Sequence, residues 1–448
     1  MDFLTEPERQ TPVGGEYEVV VLGGGPAGIA AAAAAAGLGR KVLLVERYGF
    51  LGGMGTAAGV TNFCGLHANV FGTIKQVVHG IADDLLARIE RIGGLNTPHL
   101  LLGKTHAQAY DTAAYKCAAD DLLLSRGVDI LFHALAVGVV TDTDRRVGAL
   151  LVETKSGRMA MRGGVFIDCS GDGDLAAFAG AAFEKDEMLF PSMMFRLNDI
   201  DPVRAGEAWR TVPSLMQEAE ARGATFPRKG AIIRPQKHTR EWRVNVTQVK
   251  NPDGRAVDGT DARQLSAGEI EGRRQALGFF NFLKREAPGF ADAYIVDIPP
   301  QLGIRETRRV TGAYLLTAED VVGCADFADT IGVNGWPLEM HVAGDVVWRW
   351  PEIPGSRGYN HLPYRMLIPQ HASGAVFDNL LVAGRCASMT HEGQSAARVS
   401  GACFVMGEAA GTAAHLSLAE QARCPDIPID TLQNLLQRGG VFLGRAEN

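Results

Sequence analysis

The chain has 448 residues, 46% of them hydrophobic, with 54 glycines, seven cysteines and a net charge of −7. That length suggests roughly two or three domains, and an acidic balance without a basic stripe excludes a nucleic-acid footprint. The cysteines are scattered and form no Cys-x-x-Cys pair, which speaks against a zinc ribbon, an iron–sulfur site or a dithiol reductase and fits a reducing cytoplasm. No metal site is expected.

Residues 1–16 are polar and carry Pro7 and Pro12. They lack a basic n-region and an apolar h-region, so a loose tail is expected here rather than a signal peptide. A β-branched run, Val19-Val20-Val21-Leu22, then feeds into Gly23, Gly25 and Gly28, spaced G-x-G-x-x-G. An alanine-rich helix is expected over 29–38, and a second apolar run, 42–45, ends at Glu46. Strand, glycine turn, helix and a following acidic residue together mark a dinucleotide-binding unit. Gly23 permits the tight turn, and Gly25 lets a pyrophosphate approach bare backbone. The helix N-terminus offers unpaired N–H groups, and Glu46 stands where ribose hydroxyls are bound. The apolar stretch 29–38 is too short to span a bilayer, and no other run qualifies.

The loop 47–56 is glycine-dense, with apolar Leu51 and Met54, as suits backbone lying against a flat ligand. Helices are expected over 74–92 and 107–126 from apolar spacing. Short strands follow over 128–132, 135–141, 147–153, 158–161 and 165–167. The last runs into Asp168-Cys169-Ser170-Gly171-Asp172-Gly173-Asp174 and a helix over 175–182. From 186 to 364 the texture becomes charged, with Pro- and Trp-rich turns, and reads as an inserted domain with strands over 242–249 and 294–298 and a helix over 266–286. Its basic run, Arg228, Lys229, Arg234, Lys237, His238, Arg240 and Arg243, reads as a solvated face, with an acidic-substrate funnel as the alternative. After 364 the first texture returns, with a strand over 379–385, the loop Thr390-His391-Glu392-Gly393 and one long small-residue helix over 395–418. The fold class expected is therefore α/β, a Rossmann-like domain with an inserted α+β substrate domain. Its parts would be a tail (1–16), a first nucleotide-binding part (17–185), a cap (186–364) and a closing part (365–448).

The opening motif, the loop Arg47-Tyr48-Gly49-Phe50-Leu51-Gly52-Gly53-Met54, the turn 168–174 and the C-terminal strand–loop–helix together resemble the FAD-dependent oxidoreductase family. So do Gly303-Ile304-Arg305-Glu306-Thr307-Arg308-Arg309 and Leu362-Pro363-Tyr364-Arg365. The resemblance covers nearly the whole chain. It implies a glutathione-reductase-like FAD domain related to the fumarate reductase group. It implies that Gly23, Gly25, Pro26 and Ala27 hold the pyrophosphate, and that Glu46, with Arg47 nearby, takes the adenosine ribose. Gly52, Gly53 and Met54 would lie along the isoalloxazine, Ala136 and Val137 would meet the adenine, and Ser170 and Gly171 would flank the pyrophosphate. Gly384 and Arg385 replace the Gly-Asp of many related flavoproteins, and Arg398 belongs to the same expected set. The helix placed near Ser395 would aim its N-terminus at the flavin C2 carbonyl. No histidine beside Glu46 suggests a covalent link, and His67 lies further along, so FAD is expected to be noncovalent. The segment 326–351, with Trp336, Trp348 and Trp350, departs from the family pattern and is a candidate for substrate selectivity.

With a flavin carrying the electrons, the protein must position a substrate and manage one proton. His391 suits an acid or base, or braces its loop. The Arg305 guanidinium suits a substrate carboxylate, whereas Arg308 and Arg309 suit an ion-pair knot between domains. Tyr364 and Arg365 follow Pro363 and either face the flavin or pack. The expected activity is hydride transfer between a small organic molecule and flavin N5, as C–H oxidation or reduction of an activated C=C. A flavin monooxygenase and a non-catalytic flavoprotein subunit are the alternatives. The sequence names neither the electron partner nor the oligomeric state, homo-oligomer included. No second G-x-G-x-x-G follows a strand.

Overall fold

The computed structural model describes residues 4–5, 7–143, 145–238 and 240–445. Strand β1 (Val13–Leu22) leads into helix α1 (Pro26–Gly37), and β2 (Val42–Val45) returns parallel to β1 with Val19 opposite Val42. β3 (Asp129–Leu131) extends the parallel edge. β4 (Leu135–Thr143), β5 (Arg146–Thr154) and β6 (Gly157–Asp168) form an antiparallel meander. β6 organises the sheet. Along one edge it runs parallel to β1. Its other edge pairs first with β5 and then, from Phe166, with β7 (Leu380–Val382). The order is β3-β2-β1-β6-β5-β4, with β7 beside β6. Val19, Val20 and Val21 are fully buried, each contributing about 1.5–3 kcal/mol of apolar burial.

The chain leaves this core after Ala181 and builds a second one. Strands Ile232–Pro235, Trp242–Asn245, Phe195–Asn198 and Tyr294–Asp297 form a four-stranded antiparallel sheet in that order. Helix α2 (Ala262–Glu286) contributes Phe279 and Phe282 to the core it shares with Trp242, Val244 and Phe290. The members of this core lie between Met193 and Ile304, and from Val310 onward the chain packs into the first core. The change of core therefore precedes the expected boundary at 364. Strands Thr330–Asn334 and Asn360–Pro363 pair with each other beneath the C-terminal helix, which draws the intervening Trp-rich segment back to the first unit.

The chain continues with α3 (His391–Ala397) and α4 (Ser400–Ala419) and ends in a helix over Ile429–Arg438. α4 lies along α1, backbone to backbone. A Cβ on Gly407 would come within 2.0 Å of the Ala27 carbonyl oxygen, and one on Gly411 within 2.1 Å of that of Ala31. Only small residues on both helices allow this approach.

Several elements differ from expectation. Residues 13–16 belong to β1, with Glu16 opposite Arg162, so the expected tail is shorter; residues 1–3 and 6 lie outside the described set. The run 74–92 splits into strand Thr73–Gln76 and helix Ile81–Arg91 at Gly80, whose φ of 77° no helix continues. The run 107–126 splits likewise into strand Thr105–Ala109 and helix Thr112–Leu124, the latter capped by the Asp111 carboxylate. In both, apolar spacing was shared between an extended edge and a helix face. The runs 158–161 and 165–167 are one strand, and the single helix over 395–418 is two, broken at Arg398-Val399.

Candidate functional site

Two glycine turns and one loop meet at the carboxyl ends of β1, β2 and β6. Gly23 takes a φ of 99°, and a Cβ there would sit 2.4 Å from the Cys169 carbonyl oxygen, so the first turn rests directly on the second. Pro26 opens α1 with Gly25 as its N-cap and no capping side chain, which leaves first-turn N–H groups for an anion. The Glu46 carboxylate accepts from Gly24 N at 2.7 Å and Tyr48 N at 2.9 Å. Burial raises its pKa against those two bonds, and each oxygen keeps a lone pair for a hydroxyl donor. Gly52 N donates to Gly24 O at 2.8 Å, and a Cβ on Gly53 would meet Gly25 Cα at 2.8 Å. The 47–56 loop thus lies against the first turn through bare backbone. Asp168 organises the second turn. It accepts from Ser170 N, Ser170 Oγ and Ala176 N at 2.9, 2.6 and 2.9 Å, while burial pushes its pKa up to about 6.

Arg385 closes this end. Its guanidinium donates to Asp172 Oδ1 at 2.7 Å and to Ile304 O at 2.6 Å. Arg47 lies 3.7 Å from the other Asp172 oxygen and donates to Gln301 at 3.2 Å.

All of this borders one cleft of about 1530 Å³, its open mouth included. Of the expected residues, Gly23, Gly25, Pro26, Ala27, Glu46, Arg47, Gly53, Met54, Ser170, Gly171, Arg305, Gly384, Arg385 and Arg398 line it. The N-terminus of α4 lines it too, through Val399, Ser400 and Cys403. The helix end at the cleft is therefore Ser400, not the neighbourhood of Ser395.

Other expected residues stand elsewhere. Gly52 backs the lining loop without facing the cleft, and Ala136 and Val137 lie half-buried on β4 outside the lining. Tyr364 is buried with its hydroxyl donating to Cys424 O at 2.7 Å, away from the cleft. Arg365 is on the surface, paired with Asp329 at 3.0 Å and over the Tyr314 ring. Neither lines the cleft, and the packing alternative fits their placement, because the short helical turn after Pro363 points one side chain inward and the other to solvent. His391 does not line the cleft either. Its Nδ1 lies 2.9 Å from Glu306, which also accepts from Arg309 at 2.5 Å and Leu189 N at 2.8 Å. Burial favours the neutral ring, but the hydrogen bond and charge of Glu306 outweigh it and raise the His391 pKa. Arg308 donates to Asp174 at 2.9 Å, completing an ion-pair knot between segments.

The far half of the cleft was anticipated only through the 326–351 segment and the funnel alternative for the basic run; Tyr110, Glu339 and His341 were not singled out. Trp336 and Trp348 line it with Tyr110, and Arg243, Glu339 and His341 supply its polar groups. The basic run is thus not wholly a solvated face: Arg228 and Arg243 are 2% and 4% exposed. Glu339 accepts from Trp336 Nε1 at 3.0 Å and from His341 Nε2 at 3.2 Å. Burial opposes its ionisation, yet those bonds and the Arg398 charge lower its pKa. Burial, helped by Arg305, keeps His341 neutral. A carboxylate only accepts, so Nε2 carries the proton and Nδ1, which has no protein partner, carries the lone pair. The Trp-rich segment and the alternation of Leu338 with Glu339 and His341 held the available signal.

The site therefore defines a dinucleotide-binding α/β enzyme whose cleft runs on between the two cores. Residues 18–436 match the family described as FAD dependent oxidoreductase, and the chain belongs to that family. It is an FAD-dependent oxidoreductase, and its cofactor is FAD. The uncapped α1 end, the spare lone pairs of Glu46 and the facing glycine loops fit that group. Among curated proteins no sequence matches this chain. Similar solved structures include a geranylgeranyl bacteriochlorophyll reductase-like protein from Thermoplasma acidophilum (13% identity, 95% of this chain and 83% of that one, TM-score 0.49). A p-nitrophenol 4-monooxygenase from Pseudomonas putida (13%, 97% and 90%, TM-score 0.46) and a flavin-dependent brominase (14%, 94% and 84%, TM-score 0.47) are also similar. Among the described residues no helix is long and apolar enough to cross a membrane, and no group of three or more His, Cys, Asp or Glu is placed to hold a metal.

Proposed function

We propose that the protein transfers a hydride between a small organic molecule and noncovalently held FAD, with the substrate lodged in the cap-side half of the cleft. The observation that carries this reading is the continuity of one cleft from the Gly23–Ala27 turn to Trp336, Glu339 and His341. Bound FAD supplies two-electron chemistry at its N5. Gly23, Gly25 and Ala27 would hold the diphosphate, Glu46 the ribose, and Ser400 at the start of α4 would face developing negative charge. The unit between residues 193 and 304 acts as the substrate cap, and the meander β4–β6 within the parallel sheet supports a glutathione-reductase-like subtype.

His341 is proposed as the proton acceptor or donor in place of His391. A neutral imidazole oriented by a carboxylate, with its other nitrogen unengaged, is the arrangement of a general base. His391, Glu306 and Arg309 instead brace the floor of the loop. His67, whose ring packs edge-on to His106 outside the cleft lining, is not proposed as a covalent anchor.

Anaerobic mixing of the holoenzyme with candidate donors should bleach the bound flavin, and His341→Asn should slow that bleaching without loss of FAD. If every donor leaves the flavin oxidised, while NAD(P)H with oxygen yields an oxygenated product, a monooxygenase replaces this reading.

A further inference from the structure

The walls of the cap-side compartment carry cations that the protein does not neutralise. Arg243 donates to the Val60 carbonyl at 2.8 Å and lies 2.9 Å from the Asn62 side-chain amide, whose oxygen accepts once that amide is turned to suit both neighbours. Its Nε has no partner. Arg305 donates to Phe190 O at 2.7 Å and Ser192 Oγ at 3.0 Å. All of these acceptors are neutral. The one carboxylate of this compartment, Glu339, is engaged by Trp336 and His341 and stands 3.9 Å from Arg398. Arg385, by contrast, has its own carboxylate in Asp172.

Two buried guanidinium groups face one cleft with neutral hydrogen-bond acceptors and only the longer-range charge of Glu339 to offset them, which is costly. Burial pushes the pKa of both below the ordinary arginine value, helped at Arg305 by the Arg398 and Arg228 charges. An arriving anion relieves that cost, and a planar carboxylate matches the guanidinium fork. The remaining walls are flat and apolar, from Tyr110, Trp336 and Trp348, and suit a planar body.

We infer that the substrate is an organic acid with a planar, aromatic or conjugated body, its carboxylate held by Arg243 and Arg305 between the aromatic walls. This rests on the substrate occupying the cap-side compartment, as proposed above. Arg243 and Arg305 bind and orient, and His341 stands by for the proton.

The test is titration of the oxidised holoenzyme with benzoate, cinnamate and 1-naphthoate against their neutral amides, following perturbation of the bound flavin's absorbance. At least one acid should perturb the spectrum saturably and bind at least about tenfold more tightly than its amide, as a charge-assisted bond requires. Arg243→Met and Arg305→Met should each weaken that acid by about tenfold or more with FAD content unchanged, and Arg243→Lys should recover part of the loss. The wild-type comparison of acid with amide stands even if a variant fails to fold. Amides binding as well as acids, no acid binding at all, or loss of FAD from the variants would each overturn the inference, the last because the arginines then serve the cofactor. Binding is read without turnover, so a neutral donor that bleaches the flavin while acids fail to bind sinks this inference and leaves hydride transfer standing.

Discussion

Arg385 and Asp172, 213 residues apart in the chain, meet with the guanidinium NH2 2.7 Å from the carboxylate Oδ1. Asp172 also accepts from Thr307 Oγ1 at 2.9 Å, so one carboxylate joins the second glycine turn, the 303–309 segment and the loop after β7. The acid expected after Gly384 in related flavoproteins is absent, and a carboxylate from another turn stands beside the arginine that replaced it. Removing Arg385 leaves Asp172 buried, and Arg385→Ala should lower unfolding free energy by about 3 kcal/mol. In a double-mutant cycle with Asp172→Asn the coupling should be about 1–3 kcal/mol. Strict additivity in denaturant melts would show that the two do not act together.

Glu46→Ala removes the acceptor for Gly24 and Tyr48 as well as the proposed ribose contact. FAD release on dilution, followed by flavin fluorescence, should become at least about tenfold more favourable. Glu46→Gln keeps one carbonyl acceptor and should fall between. Equal retention in all three proteins would remove Glu46 from the cofactor site.

Gly411→Val places branched carbons where even a methyl would lie 2.1 Å from the Ala31 carbonyl. Backbone bounds that contact on both sides, so relief requires α1 and α4 to separate. A loss of at least about 1–3 kcal/mol is expected from overpacking. Gly278→Ala on α2, where an added Cβ meets nothing within 4 Å, should instead stabilise by about 0.5–1 kcal/mol. Thermal melts that rank the two variants the other way would contradict the packing described.

His391 binds its proton more tightly in the folded protein than in the unfolded chain, because Glu306 outweighs burial. Its contribution to stability is therefore fully present below the unfolded value, about 6.5, and is lost as pH rises through the higher folded value. The melting-temperature advantage of wild type over His391→Gln should be greatest below the unfolded value of about 6.5 and shrink as pH rises above it. A gap that widens with pH would reverse the assignment. The reductive half-reaction of His391→Gln should stay close to wild type, in contrast to that of His341→Asn.

The nucleotide turn was legible because its signal is local: Gly23, Gly25, Gly28 and Glu46 lie on a strand–turn–helix–strand unit whose spacing alone dictates their meeting. The second turn and the 47–56 loop were readable for the same reason. Helix limits failed where one apolar pattern served two elements, as at Gly80 and Asp111. The basic run failed more instructively. Arg228 and Arg243 look like surface residues by composition, yet Arg243, on strand Trp242–Asn245, reaches across to the Val60 carbonyl, and Arg228 turns inward to the Asn245 carbonyl.

The linear chain by itself determined an α/β nucleotide unit and the glycines that allow backbone to face a diphosphate, because neighbours in order are there neighbours in space, and the family resemblance of its motifs implied the cofactor. Only the tertiary structure decided which charges share a cleft. The pairing of Glu339 with His341, the isolation of Arg243 and Arg305, and the withdrawal of His391 and Tyr364 all depend on segments far apart in the chain. Burial and counter-charge are properties of that assembly, and residue type alone does not contain them.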